Sequence, residues 1–213
     1  MNETSGHYFR SPSDQERRRT ITVTMAERSV EVLTANGIFS PEGVDKGTAA
    51  LLSAVPAPPE QGEFLDIGCG WGPLALTLGM MSPNAHVTAV EVNERAAQLC
   101  RDNAEALGVP NIDVSSPEDV DPLRSYDLIW SNPPIRIGKK ALHELLELWL
   151  PRLNDHGEAW LVVQKNLGAD SLMPWIQTML NDQAHILESR FTVERADTIK
   201  GFRILRVIRH PRA

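Results

Sequence analysis

Long hydrophobic runs are missing from this 213-residue chain. No stretch approaches the ~20 apolar residues that cross a bilayer. The polar opening "MNETSGHYFRSPSDQERRR" has no apolar centre of the kind a secretory signal carries. Cysteine is scarce: Cys69 and Cys100 stand alone, without C-x-x-C spacing, too few for a disulfide framework. A reducing, cytoplasmic location is the expectation. The six histidines form no H-x-x-x-H or similar cluster, so no metal is expected. An excess of positive charge is lacking too. The formal net charge is -7, which argues against a protein that coats nucleic acid non-specifically. There is no internal repeat and no low-complexity tract. What remains is an ordinary globular composition, 42% hydrophobic and 23% charged, with a monomer favoured. A chain of this length buries roughly 70% of its unfolded surface.

The charge is uneven. Arg190, Arg195, Lys200, Arg203, Arg206, Arg209 and Arg212 face only Glu194 and Asp197 near the C-terminus, and "QERRR" (15–19) is a second basic cluster. Either is a solvated face or a local patch for a phosphate backbone.

Periodicity sets the fold class. "TITVTM" (20–25) and "SVEVLT" (29–34) alternate with period two and predict a hairpin. A helix is expected from about Asp45 to Val55, then a proline-rich linker, "PAPPEQG". From Glu63 onward strands alternate with helices: "EFLDI", "GPLALTLGMM", "AHVTAVEV", then "NERAAQLCRDNAEALG" with Asn93 as N-cap and Gly108 as stop. "NIDVSS", "YDLIWS", "KKALHELLELWLPRL", "GEAWLVVQ" and "GADSLMPWIQTMLND" continue the series, and "SRFTVERAD" and "FRILRVIR" close it. The alternation implies βαβ units in an α/β, doubly wound, mostly parallel sheet of seven strands. The last two strands share a short link and must pair antiparallel.

Two strand ends carry chemistry. "FLDIGCGWGPLAL" places Asp66, Gly68, Gly70 and Gly72 at a strand-to-helix turn. Glycines let a backbone approach a ligand, and the following helix N-terminus favours an anionic group. Glu91 ends the next strand, 23 residues after Gly68, where a carboxylate can accept from both ribose hydroxyls. NAD and S-adenosylmethionine both carry that ribose; the G-x-G-x-G spacing favours the second. The other strand end is "SNPPI". Asn132 offers a side-chain acceptor, and Pro133 and Pro134 stiffen the backbone and remove two N–H donors. Two rigid acceptors, the Asn132 amide oxygen and the Pro133 carbonyl, suit the two hydrogens of a planar exocyclic amine. Arg136, Lys139 and Lys140 follow and could meet a phosphate, Phe39 could line a substrate mouth, and Trp71 could shield a cofactor.

These motifs resemble those of class I S-adenosylmethionine-dependent methyltransferases: "LDIGCGWG" the first motif, "VEVN" the second, "SNPPI" the amino-methylase motif. "GIFSPEGVDKGTAALL" (37–52), the stretch 132–169, "KGFRILR" (200–206) and "GHYFRSPS" extend the likeness to the methyltransferase small domain family, which includes small-subunit ribosomal RNA methyltransferases. The resemblance implies N2-methylation of a guanine in ribosomal RNA. It places Cys69 and Val92 with Asp66, the three glycines, Glu91 and Asn132 around the cofactor, puts Asp45, Gly47 and Thr48 at its methionine end, and Ser116 and Glu118 near its adenine. Asn132, Pro133, Pro134 and Ile135 become the catalytic motif. Ile135 stands where an aromatic usually stacks on the base. By the same resemblance residues 1–58 form a hairpin, helix and linker packed on a methyltransferase domain, 59–213. DNA adenine or protein glutamine as the amine, a ribosome-assembly factor without turnover, and an NAD-dependent oxidoreductase stay open as alternatives.

Overall fold

The structure, a computed structural model, describes residues 15–134, 137–187 and 189–211. "GHYFRSPS", Ile135, Arg136 and Arg212 lie outside the described residues. The chain forms β1 (Arg18–Met25), β2 (Arg28–Ala35), α1 (Lys46–Ala54), β3 (Glu63–Ile67), α2 (Pro73–Met81), β4 (His86–Val90) and α3 (Glu94–Ala106). It continues with β5 (Ile112–Ser115), β6 (Tyr126–Ser131), α4 (Lys139–Trp149), β7 (Leu153–Gln164), α5 (Ala169–Leu187), β8 (Ser189–Ile199) and β9 (Phe202–Pro211). β1 and β2 form an antiparallel hairpin, and the main sheet has seven strands in the order β5-β4-β3-β6-β7-β9-β8. The expected class, with its single antiparallel strand near the end, is borne out: β9 runs antiparallel to both β7 and β8.

The chain divides into two compact units, Met1–Asp45 with Ala57–Asp121 and Lys46–Pro56 with Pro122–Ala213. In the first, β3, β4 and β5 pair in parallel. An isolated two-stranded hairpin is marginal in water, and here it is not isolated. Met25, Val32, Ala35 and Ile38 join Trp71, Leu76, Ala96, Leu99 and Ala104 in one buried cluster. Asn103 of α3 completes the junction. Its Oδ1 accepts from the Leu33 N–H at 2.6 Å, and its Nδ2 donates to the carbonyls of Leu33 and Trp71, both at 3.0 Å. A buried amide bonded on both ends thus acts as a strand edge for β2 and ties it to the glycine turn. Asn93 caps α3 as expected, accepting from the N–H groups of Arg95 and Ala96, and Gly108 (φ 65°) follows its end.

In the second unit β6 and β7 pair in parallel. β7 starts at Leu153, four residues ahead of the expected Gly157. His156 has φ 66°, and the register shifts between Tyr126 and Leu128. A Cβ on Gly157 would lie 2.8 Å from the Asn154 carbonyl. Two steps on β6 thus match five on β7, from Tyr126↔Leu153 to Leu128↔Glu158, and this bulge hid the strand's first turn-like residues from a period-two reading.

Candidate functional site

The first cluster belongs to the first unit. Asp66, on β3, is fully buried. Its Oδ2 accepts from the Ala75 N–H at 2.9 Å. That donor belongs to the first turn of α2, whose N-cap, Gly72, has no side chain to serve it. The other oxygen, Oδ1, has no partner among the described residues. Burial pushes the Asp66 carboxyl up to about 8, against the Ala75 bond that lowers it, with the Glu91 charge adding to the rise.

The glycines differ from one another. Gly68 (φ 76°) and Gly70 (φ 57°) have nothing within 4 Å of where a Cβ would sit. Gly72 (φ 105°) is enclosed: its Cβ would lie 2.9 Å from Cys100 Sγ and 3.0 Å from Leu76. The turn's amides are largely spoken for. Gly68 and Cys69 donate to the Val90 carbonyl at 2.9 and 3.0 Å, and Gly72 donates to that of Cys69 at 2.9 Å. Gly70 donates to Glu91 Oε2 at 2.9 Å. Glu91 Oε1 in turn accepts from the N–H groups of Val92 and Asn93, each at 2.9 Å. Burial still raises the Glu91 carboxyl despite these three donors. The arrangement is a backbone turn wrapped on a strand-end acid, with open space above two of its glycines.

Around it, Val92 is 53% exposed and Phe39 48%. The Phe39 loop is pinned on either side: Asn93 Nδ2 donates to the Gly37 carbonyl at 3.1 Å, and the Trp71 ring N–H to that of Ser40 at 3.2 Å. Phe39 is therefore presented at the surface. Trp71 is the reverse, buried in the hairpin cluster and no shield for a cofactor. Cys69 is buried, and the neighbouring Cys100 thiol, with burial, raises its pKa well above the usual value; it is no nucleophile. The Glu91 N–H donates to the Ser115 carbonyl at 3.1 Å, so the end of β5 lies beside that acid. Just beyond, the Ser116 hydroxyl is bonded to Asp119 at 2.7 Å and Glu118 is exposed. Asp45 is half-buried at the foot of α1.

The second cluster belongs to the second unit. β6 ends at Ser131, and Asn132 follows, half-buried, with Pro133 buried behind it. Asn132 Nδ2 donates to Thr48 Oγ1 at 3.0 Å. Gly47 and Thr48 lie in the first turn of α1, and both are buried. The sequence had placed Thr48 with the cofactor; the structure brings it to Asn132, and no motif spacing could have paired residues 84 positions apart. Lys139 and Lys140 are exposed at the start of α4. His143, one turn on, stacks on Trp175 of α5 with ring centroids 3.5 Å apart.

Three of the six described basic residues of the C-terminal cluster are paired with acids. Arg206 pairs with Glu158 and Glu194, Arg209 with Asp155, and Arg203 with Asp170. In the N-terminal cluster Arg18 pairs with Glu16 and Asp102, and Arg19 with Glu42. Most of these acids, Glu158, Asp155, Asp170, Asp102 and Glu42, lie far from the clusters in sequence, so a linear charge count overstated the patch. Among the described residues no group of His, Cys, Asp or Glu could hold a metal ion, and no helix is long and apolar enough to cross a membrane.

The model of the methyltransferase small domain matches residues 29–195. YbxB of Bacillus subtilis is 32% identical over 182 residues, covering 84% of this chain and 90% of that protein. Ribosomal RNA small subunit methyltransferase C of Cronobacter sakazakii is 31% identical over 169 residues, covering 78% of this chain and 48% of its own length. The chain thus spans about half the length of that methyltransferase. In fold it matches a T. thermophilus 16S rRNA N2 methyltransferase solved with AdoMet and guanosine, with a TM-score of 0.68 at 20% identity over 92% of this chain and 52% of the other. With the family's sequence span and its fold both present, the chain belongs to the methyltransferase small domain family and is an S-adenosylmethionine-dependent methyltransferase.

Proposed function

We propose that this chain transfers a methyl group from S-adenosylmethionine to the exocyclic amine of an RNA base, guanine N2 of ribosomal RNA. The observation that carries the reading is the Asn132 amide. It stands half-buried just past the end of β6, with Nδ2 donating to Thr48 Oγ1 at 3.0 Å, and its Oδ1 is an acceptor by nature. Pro133 and Pro134 follow with fixed φ and no N–H.

The first unit's residues fit the cofactor. The space above Gly68 and Gly70 admits a ligand against the backbone. Glu91 Oε2, which accepts one N–H, keeps a second lone pair for a ribose hydroxyl. Asp66 serves the cofactor turn by fastening it to the first turn of α2. Cys69 and Gly72 serve through backbone shape; Val92, Ser116 and Glu118 border the adenine, and Asp45 and Gly47 the methionine end. When bound, the cofactor supplies an electrophilic methyl carbon on a sulfonium.

The rest is the work of Asn132 and Pro133. An aromatic amine is a weak nucleophile because its lone pair is delocalised into the ring. The Asn132 oxygen and the Pro133 carbonyl each accept one of its hydrogens, which favours a pyramidal nitrogen with a directed lone pair. As the new N–C bond forms and the methyl–sulfur bond breaks, with its electron pair left on sulfur as a neutral thioether, the nitrogen would become cationic, and the same two oxygens would stabilise that charge until one proton leaves to solvent. Orientation supplies the remaining gain. Phe39, Lys139 and Arg136 would hold the base and its phosphate. The half-length match to known ribosomal RNA methyltransferases supports RNA as the substrate.

The test is transfer of labelled methyl to deproteinised ribosomal RNA and to assembled subunits. Asn132→Ala should lower turnover by ~10²-fold or more while S-adenosylmethionine affinity stays within about twofold. Equal turnover in the variant would remove the mechanism, and label in protein alone would remove the substrate.

A further inference from the structure

We propose that Lys200 and Lys165 form a phosphate-binding edge that seats an RNA strand beside the end of β6. This rests on the reading of that strand end as the place where a base amine is held. The stretch "KGFRILR" begins with Lys200, which is exposed. Lys200 and Gly201 make the two-residue turn between β8 and β9, where Ile199 pairs with Phe202. Both have positive φ, 47° and 87°. Such turns match the twist of a hairpin and favour Asn-Gly. Lysine enters the left-handed region only with strain. The shape of the turn does not call for a lysine, so the strain points to its charge.

The turn is fastened to its neighbour. The Lys165 N–H, just past β7, donates to the Gly201 carbonyl at 2.9 Å. Gln164, the last residue of β7, pairs with Phe202. Ser131, the last residue of β6, pairs with Leu161 of β7. Asn132 and both lysines therefore share the carboxyl edge of β6 and β7, within one unit. One strand spacing and about three residues of rise put the Lys165 and Asn132 backbones roughly 11 Å apart. That is too far for a lysine to touch the reacting amine, and near enough to meet the backbone of the same RNA strand.

The charges at this edge are not spent on acids. The acids nearest in sequence, Asp197 and Asp170, are bonded to the Thr198 N–H and to Arg203. Lys165 and Lys200 are exposed, and among the described residues neither has an ion-pair partner. Lys139, at the start of α4 in the same unit, is exposed as well. Phosphate contacts fix the register of a strand without reading its sequence. Cations gathered at one edge of a chain with net charge -7 attract a strand locally, without general affinity for nucleic acid.

Lys200→Asn removes the charge and installs a residue that the turn favours; Lys165→Gln removes the other. Arg190→Gln, near the start of β8, makes the same charge change roughly 33 Å away along the strand. The measurements are kcat and KM for ribosomal RNA over a salt series, S-adenosylmethionine affinity by calorimetry, and the thermal midpoint. In the double lysine variant KM should rise about tenfold, with kcat and cofactor Kd within about twofold. The slope of log KM against log salt should fall by ~0.7 for each lysine removed. Lys200→Arg and Arg190→Gln should keep KM within about twofold of wild type. Lys200→Asn should melt at or above the wild-type midpoint. Should the double variant fail to fold, the single variants carry the same readouts. Wild-type KM and slope in the double variant, beside an inactive Asn132→Ala, would overturn the lysine edge alone. So would a fall in kcat at constant KM, an equal rise in KM with Arg190→Gln, or a lowered midpoint in Lys200→Asn. An active Asn132→Ala, or a wild type that labels no RNA, would instead overturn the underlying reading.

Discussion

The end of β3 and the end of β6 both present chemistry, but they are held by different means. At the end of β3 the turn is fastened by many non-covalent bonds from elsewhere in its unit: Val90 takes two amides, Glu91 one, and Asn103 reaches the Trp71 carbonyl. At the end of β6 stiffness is covalent, from two prolines, and the Asn132 side chain reaches Thr48 of α1. A distributed network tolerates the loss of one member in geometry but passes the cost to stability. A side chain carried on a stiff backbone does the opposite: changing it should leave stability alone and change function.

The largest expected effect breaks the network. Asn103→Leu would strand the Leu33 N–H and the carbonyls of Leu33 and Trp71 in a buried place. At ~1–3 kcal/mol for each unsatisfied group, a loss of ~3 kcal/mol or more should appear in urea unfolding. A loss below ~1 kcal/mol would mean that the hairpin junction does not depend on this amide.

Next in size is a paired substitution within the glycine turn. Gly72→Ala sets a Cβ 2.9 Å from Cys100 Sγ at φ 105°, and should cost ~2–4 kcal/mol of stability. Gly70→Ala meets nothing and should cost only ~1–2 kcal/mol. Its Cβ nevertheless enters the space proposed for the cofactor, so S-adenosylmethionine affinity should fall at least tenfold. Calorimetry showing equal affinity in Gly70→Ala and wild type would place the cofactor elsewhere.

The remaining effect lies in pH dependence and is read as a slope. The Asp66 carboxyl is pushed up to about 8 in the fold, against ~3.9 in an unfolded chain. Between these values the folded state holds a proton that the unfolded state has released. Stability from this group is complete below ~4 and is lost as pH rises through about 8. Asp66→Asn cannot release that proton. Its urea midpoint should therefore change less than that of wild type between about pH 5 and pH 8. Parallel declines would show that Asp66 ionises freely in the fold.

Much of this was legible in the sequence where local signals were unambiguous. The strand "YDLIWS" lies where its period places it, and Asn93 caps α3 because its side chain is within reach of its own helix. The glycine turn, the strand-end acid and the Asn-Pro-Pro stop were each visible as short motifs. What could not be read were long-range partners. Thr48 meets Asn132, Asn103 meets Leu33, and Asp66 serves the N-terminus of α2, all through tertiary packing with no sequence period to reveal it. The bulge at His156 and the acids that quench Arg206 and Arg209 belong to the same class.

The most direct measurement is nucleoside mass spectrometry of ribosomal RNA incubated with the protein and methyl-labelled S-adenosylmethionine. The account predicts label in N2-methylguanosine with wild type and its disappearance with Asn132→Ala. Label confined to methyladenosine, or present equally with the variant, would contradict it.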